Sequence, residues 1–314
     1  MSLLPVELAH RLAARPEEQR WLVTDLWAEE AVGIIGGEPK CCKSFLALDL
    51  VVSVASGTPC LRRFSVPRAG RVLLYAAEDA LHIVRSRIAG ICHEVGIQLD
   101  NLDIHVITAP TLRIDVSADR SKLDETVATL RPRLLVLDPF IRLHRIDENA
   151  SAEVAPLLAY LRDMQRRHGV AVVVVHHAKK GAGRARAGQA LRGSSEFHAW
   201  GDSNLYLRRR GDELTLSVEH RAAPSIPEIA LALEGHDEMV ALIPVERTCP
   251  AESSPALLDD RITGALIQAQ RPLSTVELRS LCRVRNSTLC GRLANLIAQG
   301  VLAKSPDGYR LASS

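Results

Sequence analysis

The sequence contains few aromatic residues, which account for 4% of its 314 positions. The core must therefore be aliphatic, and a composition of 47% apolar and 24% charged residues is typical of a globular protein.

No apolar run approaches the length of a membrane span, and charged residues interrupt the apolar N-terminus, so we expect neither an anchor nor a signal peptide. The net charge of +2 identifies no partner, because only local clusters of charge can do so.

The sequence also lacks any C-x-x-C pair among its seven cysteines. This absence argues against a zinc site and against a disulfide framework, so we expect a reduced, cytoplasmic setting. Two cysteines are adjacent, Cys41 and Cys42. A redox role for this pair stays open, although the packing of small residues is the simpler explanation.

Residues 31–177 alternate between short runs rich in Val, Leu and Ile and longer helical patterns. This alternation predicts an α/β fold with a mainly parallel sheet covered by helices, and it places ligands at the carboxyl ends of the strands. The predicted strands are 32–36, 71–77, 102–107, 133–138 and 170–175, and the predicted helices are 43–56, 79–95, 119–130 and 151–168.

The rest of the chain divides by composition. Residues 1–30 have leucines at helical spacing and are predicted to be a short helical segment. The core domain is predicted to span 31–245, because short strands and turns continue after residue 203. Residues 246–255 have the composition of a linker, and residues 256–314 form a separate unit.

A phosphate-loop motif follows the first core strand. Gly37 opens the pattern G-x-x-x-x-G-K-[ST], and Lys43 and Ser44 close it at the start of an apolar helix. In such a loop backbone N–H groups surround phosphate, a lysine adds positive charge and a hydroxyl binds Mg²⁺. One position departs from the pattern, because Cys42 stands where glycine is expected. The nucleotide-binding residues predicted here are Gly37, Glu38, Pro39, Lys40, Cys41, Cys42, Lys43, Ser44 and Phe45.

Carboxylates follow two further strands. Asp138 ends an apolar strand and is a candidate Mg²⁺ ligand beside Ser44, the alternative being a loop cap before Pro139. Glu78 also ends an apolar strand and could orient a water for hydrolysis. Both Glu78 and Asp79 precede a predicted helix, so helix capping is the alternative, and it suits Asp79 better.

A basic, glycine-rich segment follows the last core strand. Residues 178–195 contain five Lys or Arg and no acidic residue, which favours contact with a phosphate backbone over a merely solvated loop or a contact between subunits. The strand before it ends in His176-His177, which composition alone does not distinguish from solvated loop histidines. The predicted DNA contacts in this segment are Lys179, Lys180, Arg184, Arg186 and Arg192.

Taken in order, these blocks resemble the RecA-like hexameric ATPases of the plasmid-replication helicase type, the RepA helicase family. The resemblance covers roughly residues 20–235. It rests on Gly36 to Lys40 with Lys43-Ser44, Tyr75 to Asp79, Leu137 to Phe140, Glu148 to Ser151, His176 to Lys179 and Arg192 to Ser195.

The resemblance implies roles for these residues. Lys43, Ser44 and Asp138 would bind ATP and Mg²⁺, Glu78 would be the catalytic base, and His176 would sense the γ-phosphate. It also implies a homo-oligomeric ring, a hexamer, in which a neighbour's arginine completes each site. Arg221 is the candidate for that arginine, with Arg192 and the run Arg208 to Arg210 as rivals.

The C-terminal unit, residues 256–314, has the helix pattern and turn signals of a winged helix. A Ser274 cap with Glu277 behind it starts the second helix, and Gly300 ends the third. The unit carries eight Lys or Arg against four Asp or Glu. Contact with duplex DNA is expected, with protein contact or ring assembly as the alternative. The residues predicted to contact DNA are Arg285, Ser287, Thr288 and Arg292.

Three functions remain open at this point. The first is a cytoplasmic Mg²⁺-dependent ATPase, a DNA helicase or loader for replication or mobile-element maintenance. The second is a nucleotide-gated DNA-binding regulator with little turnover, which Cys42 and the winged helix favour. The third is a signalling ATPase of the same fold that acts on a protein client.

Overall fold

The structure is a computed structural model that describes residues 4, 6–12, 16, 20–177, 195–236, 239–245, 255–282, 286–305 and 307–312. The chain divides into two compact units, Met1–Glu246 and Arg247–Ser314. Among the residues described, no helix has both the length and the apolar character needed to cross a membrane.

The first unit is built on a nine-stranded sheet in the described part of the chain, in the order β11-β10-β9-β8-β3-β7-β6-β4-β5. Strands β8, β3, β7, β6, β4 and β5 run parallel, and β9, β10 and β11 continue the sheet as antiparallel strands. A separate hairpin precedes the sheet. The strands are β1 (Trp21–Val23), β2 (Trp27–Ala28), β3 (Val32–Gly37), β4 (Val72–Ala76), β5 (Ile104–Val106), β6 (Leu134–Asp138), β7 (Ala171–His177), β8 (Ser203–Arg210), β9 (Glu213–His220), β10 (Ile229–His236) and β11 (Met239–Pro244).

Helices cover both faces of the sheet, because alternate side chains of each buried strand point to opposite sides. On β7, Val173 and Val175 pack on the α1 and α2 side, whereas Val172 and Val174 pack on the α3 and α4 side. The mainly parallel α/β fold predicted from the sequence is confirmed. The helices of this unit are α1 (Lys43–Ser56), α2 (Leu81–Glu94), α3 (Ser117–Leu130), α4 (Ser151–His168) and α5 (Ser195–Trp200).

The predicted helical segment over residues 1–30 is wrong for its second half. Only a single 3-10 turn, Ala9–Arg11, occurs among the described residues before Arg20, and β1 and β2 then form an antiparallel hairpin. The reason lies in tertiary packing, because Leu22, Val23 and Trp27 are fully buried in the core of the unit. Hydrophobic spacing alone does not reveal such long-range burial.

In the described part of the second unit, three helices are followed by an antiparallel hairpin. The helices are α6 (Pro255–Ala269), α7 (Thr275–Cys282) and α8 (Asn286–Ala298), and the strands are β12 (Leu302–Ser305) and β13 (Gly308–Leu311). The α7 start is capped as its sequence predicts, because Ser274 N–H donates to Glu277 Oε2 at 2.9 Å and Glu277 N–H donates to Ser274 Oγ at 3.3 Å. A backbone bridge joins Leu273 to Tyr309 of the hairpin.

Candidate nucleotide site

The loop between β3 and α1 carries the phosphate-loop motif. Gly37 ends β3, and a Cβ there would overlap the carbonyl of Leu207 and lie 2.6 Å from Cys41 Sγ, so only glycine fits. Lys40 and Cys42 have positive φ angles of 64° and 63°, in the left-handed region that favours glycine. The sequence motif showed that Cys42 stands where glycine is expected, but it gave no such indication for Lys40.

The side chain of Lys43 crosses this loop. Its Nζ donates to the carbonyl of Glu38 at 2.9 Å and lies 3.9 Å from Cys41 Sγ. Burial lowers the pKa of Lys43, and the nearby carboxylates of Asp138 and Glu78 oppose that effect. An ammonium group held at a helix N-terminus, close to two carboxylates, is well placed to meet phosphate oxygens.

Ser44 and Asp138 come together at the carboxyl end of the sheet. The Ser44 hydroxyl hydrogen-bonds to the Asp138 carboxylate. Burial raises the pKa of Asp138 to about 6, although this hydrogen bond acts to lower it. One hydroxyl and one carboxylate suit Mg²⁺, which usually takes few protein oxygens and keeps water and phosphate ligands. No cluster of three or more His, Cys, Asp or Glu side chains that could hold a metal occurs among the described residues.

Glu78 and Asp79 follow β4, and each pairs with an arginine. Arg142 Nε donates to Glu78 Oε1 at 3.2 Å, and Arg87 of α2 pairs with Asp79. Neither carboxylate is the N-cap of α2, because α2 begins at Leu81 and its N-cap residue is Ala80, which makes no side-chain hydrogen bond. Glu78 is 45% exposed, which leaves its carboxylate accessible to water.

The two histidines that end β7 point to opposite faces of the sheet. His177 lines the cavity beside the phosphate loop, and burial followed by the Lys43 charge lowers its pKa. His176 is 1% exposed and stacks on Phe197, with ring centroids 4.2 Å apart. The placement of His176 beside the nucleotide is therefore wrong, because strand alternation gives the cavity-facing position to His177.

These residues enclose one cavity of about 350 Å³. Two of its charged lining residues, Asp79 and Arg87, were not predicted to bind a ligand, and the Arg87 guanidinium lies 5.1 Å from the centre of the Phe45 ring. Of the predicted loop residues, Gly37, Glu38 and Pro39 do not line it. The lining residues are Lys40, Cys41, Cys42, Lys43, Ser44, Phe45, Ala76, Glu78, Asp79, Arg87, Asp138, Val175 and His177.

Comparison with known proteins assigns the chain to a family. A family model described as "AAA domain" matches residues 2–183, which is more than half of the chain. The chain belongs to this AAA domain family. Its fold is that of RecA-like P-loop ATPases.

Two solved structures show the same fold. The RadB recombinase superimposes with a TM-score of 0.51 at 17% identity, over 69% of this chain and 92% of that one. A DnaB-like replicative helicase, in a structure that addresses its interactions with primase, gives 0.53 at 15% identity over 68% of this chain and 59% of the helicase. At these identities the likeness concerns the fold alone.

In this AAA domain protein, Arg221 lies far from its own phosphate loop. Gly37 of β3 lies level with Leu216 of β9, because both pair with the same residue of β8. Arg221 lies five residues beyond Leu216, which places it about 16 Å further along the sheet. Its side chain donates to the carbonyl of Ala199 and lies 3.3 Å from Asp202. Arg221 therefore cannot complete the site of its own chain, and a role in a neighbouring chain stays a prediction.

Among the rival arginines, Arg209 lies beside the phosphate loop. Its Nη2 is 3.4 Å from Cys42 Sγ, because β8 and β3 are parallel neighbours and end at the same edge of the sheet. Arg192 lies outside the described residues. The sequence alone does not distinguish these arginines from Arg221, since the sheet order decides which edge each one occupies.

Most of the predicted DNA contacts cannot be placed. Lys179, Lys180, Arg184, Arg186 and Arg192 lie outside the described residues, as do Arg285 and the side chains of Ser287 and Thr288. Arg292 is described, and its role as a DNA contact stays a prediction. Its Nε donates to Asp259 Oδ1 at 3.0 Å and its Nη2 pairs with the same carboxylate, so the guanidinium joins α8 to α6.

Proposed function

We propose that this protein is a Mg²⁺-dependent ATPase that acts on DNA, as a ring-forming helicase or DNA loader of the RepA helicase type. The observation that carries the proposal is the cavity in which Lys43, Ser44, Asp138 and Glu78 meet at the carboxyl ends of parallel strands. Such an edge is where ligands bind in α/β sheets, and the glycine-bearing loop supplies N–H groups for phosphate.

Each residue then has a role that its position supports. Lys43 leaves the Glu38 carbonyl and binds phosphate oxygens, while Ser44 and Asp138 would hold Mg²⁺. The metal would neutralise charge on the phosphates. Glu78 leaves Arg142 and orients the attacking water, and it accepts a proton as the water attacks. His177 faces the same cavity and would respond to the terminal phosphate.

The DNA and ring parts of the proposal rest on other support. The basic residues 178–195 suit a phosphate backbone, and a recombinase and a replicative helicase share the fold, which favours DNA over a protein client. The three-helix and hairpin unit would be a winged helix that contacts duplex DNA. A hexamer, a trans-acting Arg221 and a cytoplasmic location complete the proposal.

Steady-state ATP hydrolysis, measured with and without single-stranded DNA, tests the proposal. We expect DNA-stimulated turnover in the wild type, its loss in Glu78→Gln, and its retention in Glu125→Gln. The control removes one exposed carboxylate from α3 by the same chemical change. Turnover that persists unchanged in Glu78→Gln would contradict the role given to this residue.

A nucleotide-gated DNA-binding regulator is the second candidate. Two observations favour it: the non-glycine residues Lys40 and Cys42 hold left-handed positions in the loop, and Arg142 pairs with Glu78. This candidate predicts ATP binding and DNA binding with no stimulated hydrolysis. The same assay, combined with nucleotide binding by calorimetry, separates the two functions.

A further inference from the structure

The helix α6 has one face that packs inside the second unit and an opposite face that is exposed. The inner face carries three buried apolar side chains, Leu258, Ile262 and Leu266. We define the outer α6 face as the exposed residues Asp260, Gly264 and Ile267. These residues are spaced four and three positions apart, so they share one side of the helix. Ile267 is 62% exposed on this face, which is unusual for a large apolar side chain.

The glycine in the middle of α6 calls for an explanation, because glycine disfavours a helix more than almost any other residue. A Cβ placed on Gly264 would meet no neighbouring atom within 4 Å, so nothing in the described part of the chain requires glycine there. The missing side chain instead leaves a notch in the outer α6 face, beside the projecting side chain of Ile267. Packed helices join such features, since the side chains of one helix enter the gaps of the other.

The charges at the two ends of this face have opposite signs. Asp260 lies toward the amino end, and among the described residues no ion pair or hydrogen bond engages its carboxylate. At the carboxyl end, a cavity of about 460 Å³ is lined by Ile267 and by the guanidinium groups of Arg271 and Arg310. Arg271 pairs with Glu277 at 2.8 Å and is still 60% exposed, so it can meet a second carboxylate.

We propose that the second unit binds a second copy of this chain through an antiparallel pair of α6 helices, with a two-fold axis between residues 265 and 266. In this register Gly264 of one copy lies level with Ile267 of the other, so each isoleucine enters a notch. Asp260 of one copy then comes to the carboxyl end of the other α6, near Arg271 and Arg310. A two-fold interface must complement itself in this way, which favours a second copy over an unrelated partner.

The expected pair is weak. A single helix face buries less surface than the roughly 1,200 Å² at which stable complexes begin, so we expect a dissociation constant on the order of 10 µM. The pairing does not depend on the proposed ATPase activity. Chains already held in a ring would pair more readily, because tethering raises their local concentration.

Sedimentation velocity of the full chain without nucleotide, at about 1–100 µM, tests the proposal. Gly264→Leu fills the notch. It should raise the melting temperature, because leucine favours a helix and meets no neighbour within the chain, yet weaken self-association by about tenfold or more. Gly291→Leu is the matched control, because Gly291 is an exposed glycine of α8 that also has open space around it. It should raise the melting temperature and leave self-association unchanged.

A second pair of variants tests the apolar contact. Ile267→Gln should weaken self-association by about fivefold or more, because the buried isoleucine is lost from both halves of the interface. Val276→Gln removes a similarly exposed side chain, 67% exposed and on α7, and should have no such effect. A wild type that stays monomeric at about 100 µM overturns the inference, and so does self-association that Gly264→Leu leaves unchanged.

Disulfide cross-linking under a mild oxidant checks the register, in a Cys290→Ser background that removes an exposed thiol. An equal mixture of Gly264→Cys and Ile267→Cys chains should form covalent dimers, because the antiparallel register brings these two positions together. A mixture of Asp260→Cys and Ile267→Cys chains is displaced by about one helical turn and should react more slowly. Equal rates in the two mixtures overturn the proposed pairing.

Discussion

The left-handed conformation of Cys42 predicts that glycine at this position stabilises the first unit and improves phosphate binding. Cys42 is the N-cap residue of α1, with φ 63° and ψ 26°, and its side chain makes no capping hydrogen bond. Its Cβ therefore strains the backbone without a local compensation. Removing the Cβ also opens the place where loop N–H groups and phosphate come close.

The expected gain is small but measurable. A left-handed conformation costs a non-glycine residue about 1–2 kcal/mol, and the extra freedom of glycine in the unfolded chain returns about 0.5–1 kcal/mol of that cost. Cys42→Gly should then raise the free energy of unfolding by about 0.5–1 kcal/mol, which corresponds to a melting temperature higher by about 1–4 °C. Loss of the Arg209–Cys42 contact, at 3.4 Å, is a weak opposing effect.

Thermal and urea unfolding, together with ADP binding, measure these effects. Cys42→Ser is the matched control, because it removes the thiol but keeps the Cβ, and it should not stabilise. Lys40→Gly should stabilise by a similar amount, since its φ is 64°. If Cys42→Gly and Cys42→Ser have the same melting temperature, the strain argument is refuted. Increased ATP turnover in Cys42→Gly alone would show that the cysteine slows hydrolysis.

Three further predictions concern the same site. Mg–ADP affinity should fall about tenfold per pH unit below about pH 6, because the raised pKa of Asp138 leaves its carboxyl group protonated below that pH and ionised above it. Calorimetry should show no such pH dependence in Asp138→Asn. His176→Ala should lower the free energy of unfolding, measured in urea, by about 2–4 kcal/mol, because a buried ring is lost. His177→Ala should leave the stability nearly unchanged and weaken the stimulation of hydrolysis by DNA. The reverse pattern would contradict the assignment of the two rings. Arg142→Ala should raise the rate of DNA-independent hydrolysis by at most about fivefold, because an exposed ion pair with Glu78 is worth up to about 1 kcal/mol. Slower hydrolysis in this variant would show that Arg142 does not restrain Glu78.

Much of the core could be predicted because its signals are local. The α1 helix, Lys43–Ser56, and the α4 helix, Ser151–His168, have the predicted bounds, and each apolar run at residues 32–37, 134–138 and 171–177 forms a strand. These runs are buried on both faces, so their composition alone identifies them. The hairpin at residues 21–28 carries no such local signal. Burial in the core of the unit stabilises it, and that burial involves residues distant in sequence.

What the sequence did not reveal at the described residues has a common cause, which is that side-chain direction and pairing depend on neighbours distant in sequence. His176 and His177 are adjacent and chemically alike, and only the position of β7 in the sheet decides which one faces the cavity. Arg292 is engaged by Asp259, which lies 33 residues earlier and on another helix. No pattern within either helix indicates that pair.

The sequence by itself therefore determined the fold class, the phosphate loop and the strand ends at which Glu78 and Asp138 stand. It could do so because apolar periodicity, glycine placement and strand termini are properties of short segments. Only the tertiary structure decided that His177 faces the cavity, that Arg142 holds Glu78, and that Arg221 is remote from its own site. These are contacts between separate elements, and their energies depend on the sheet order and packing that bring those elements together.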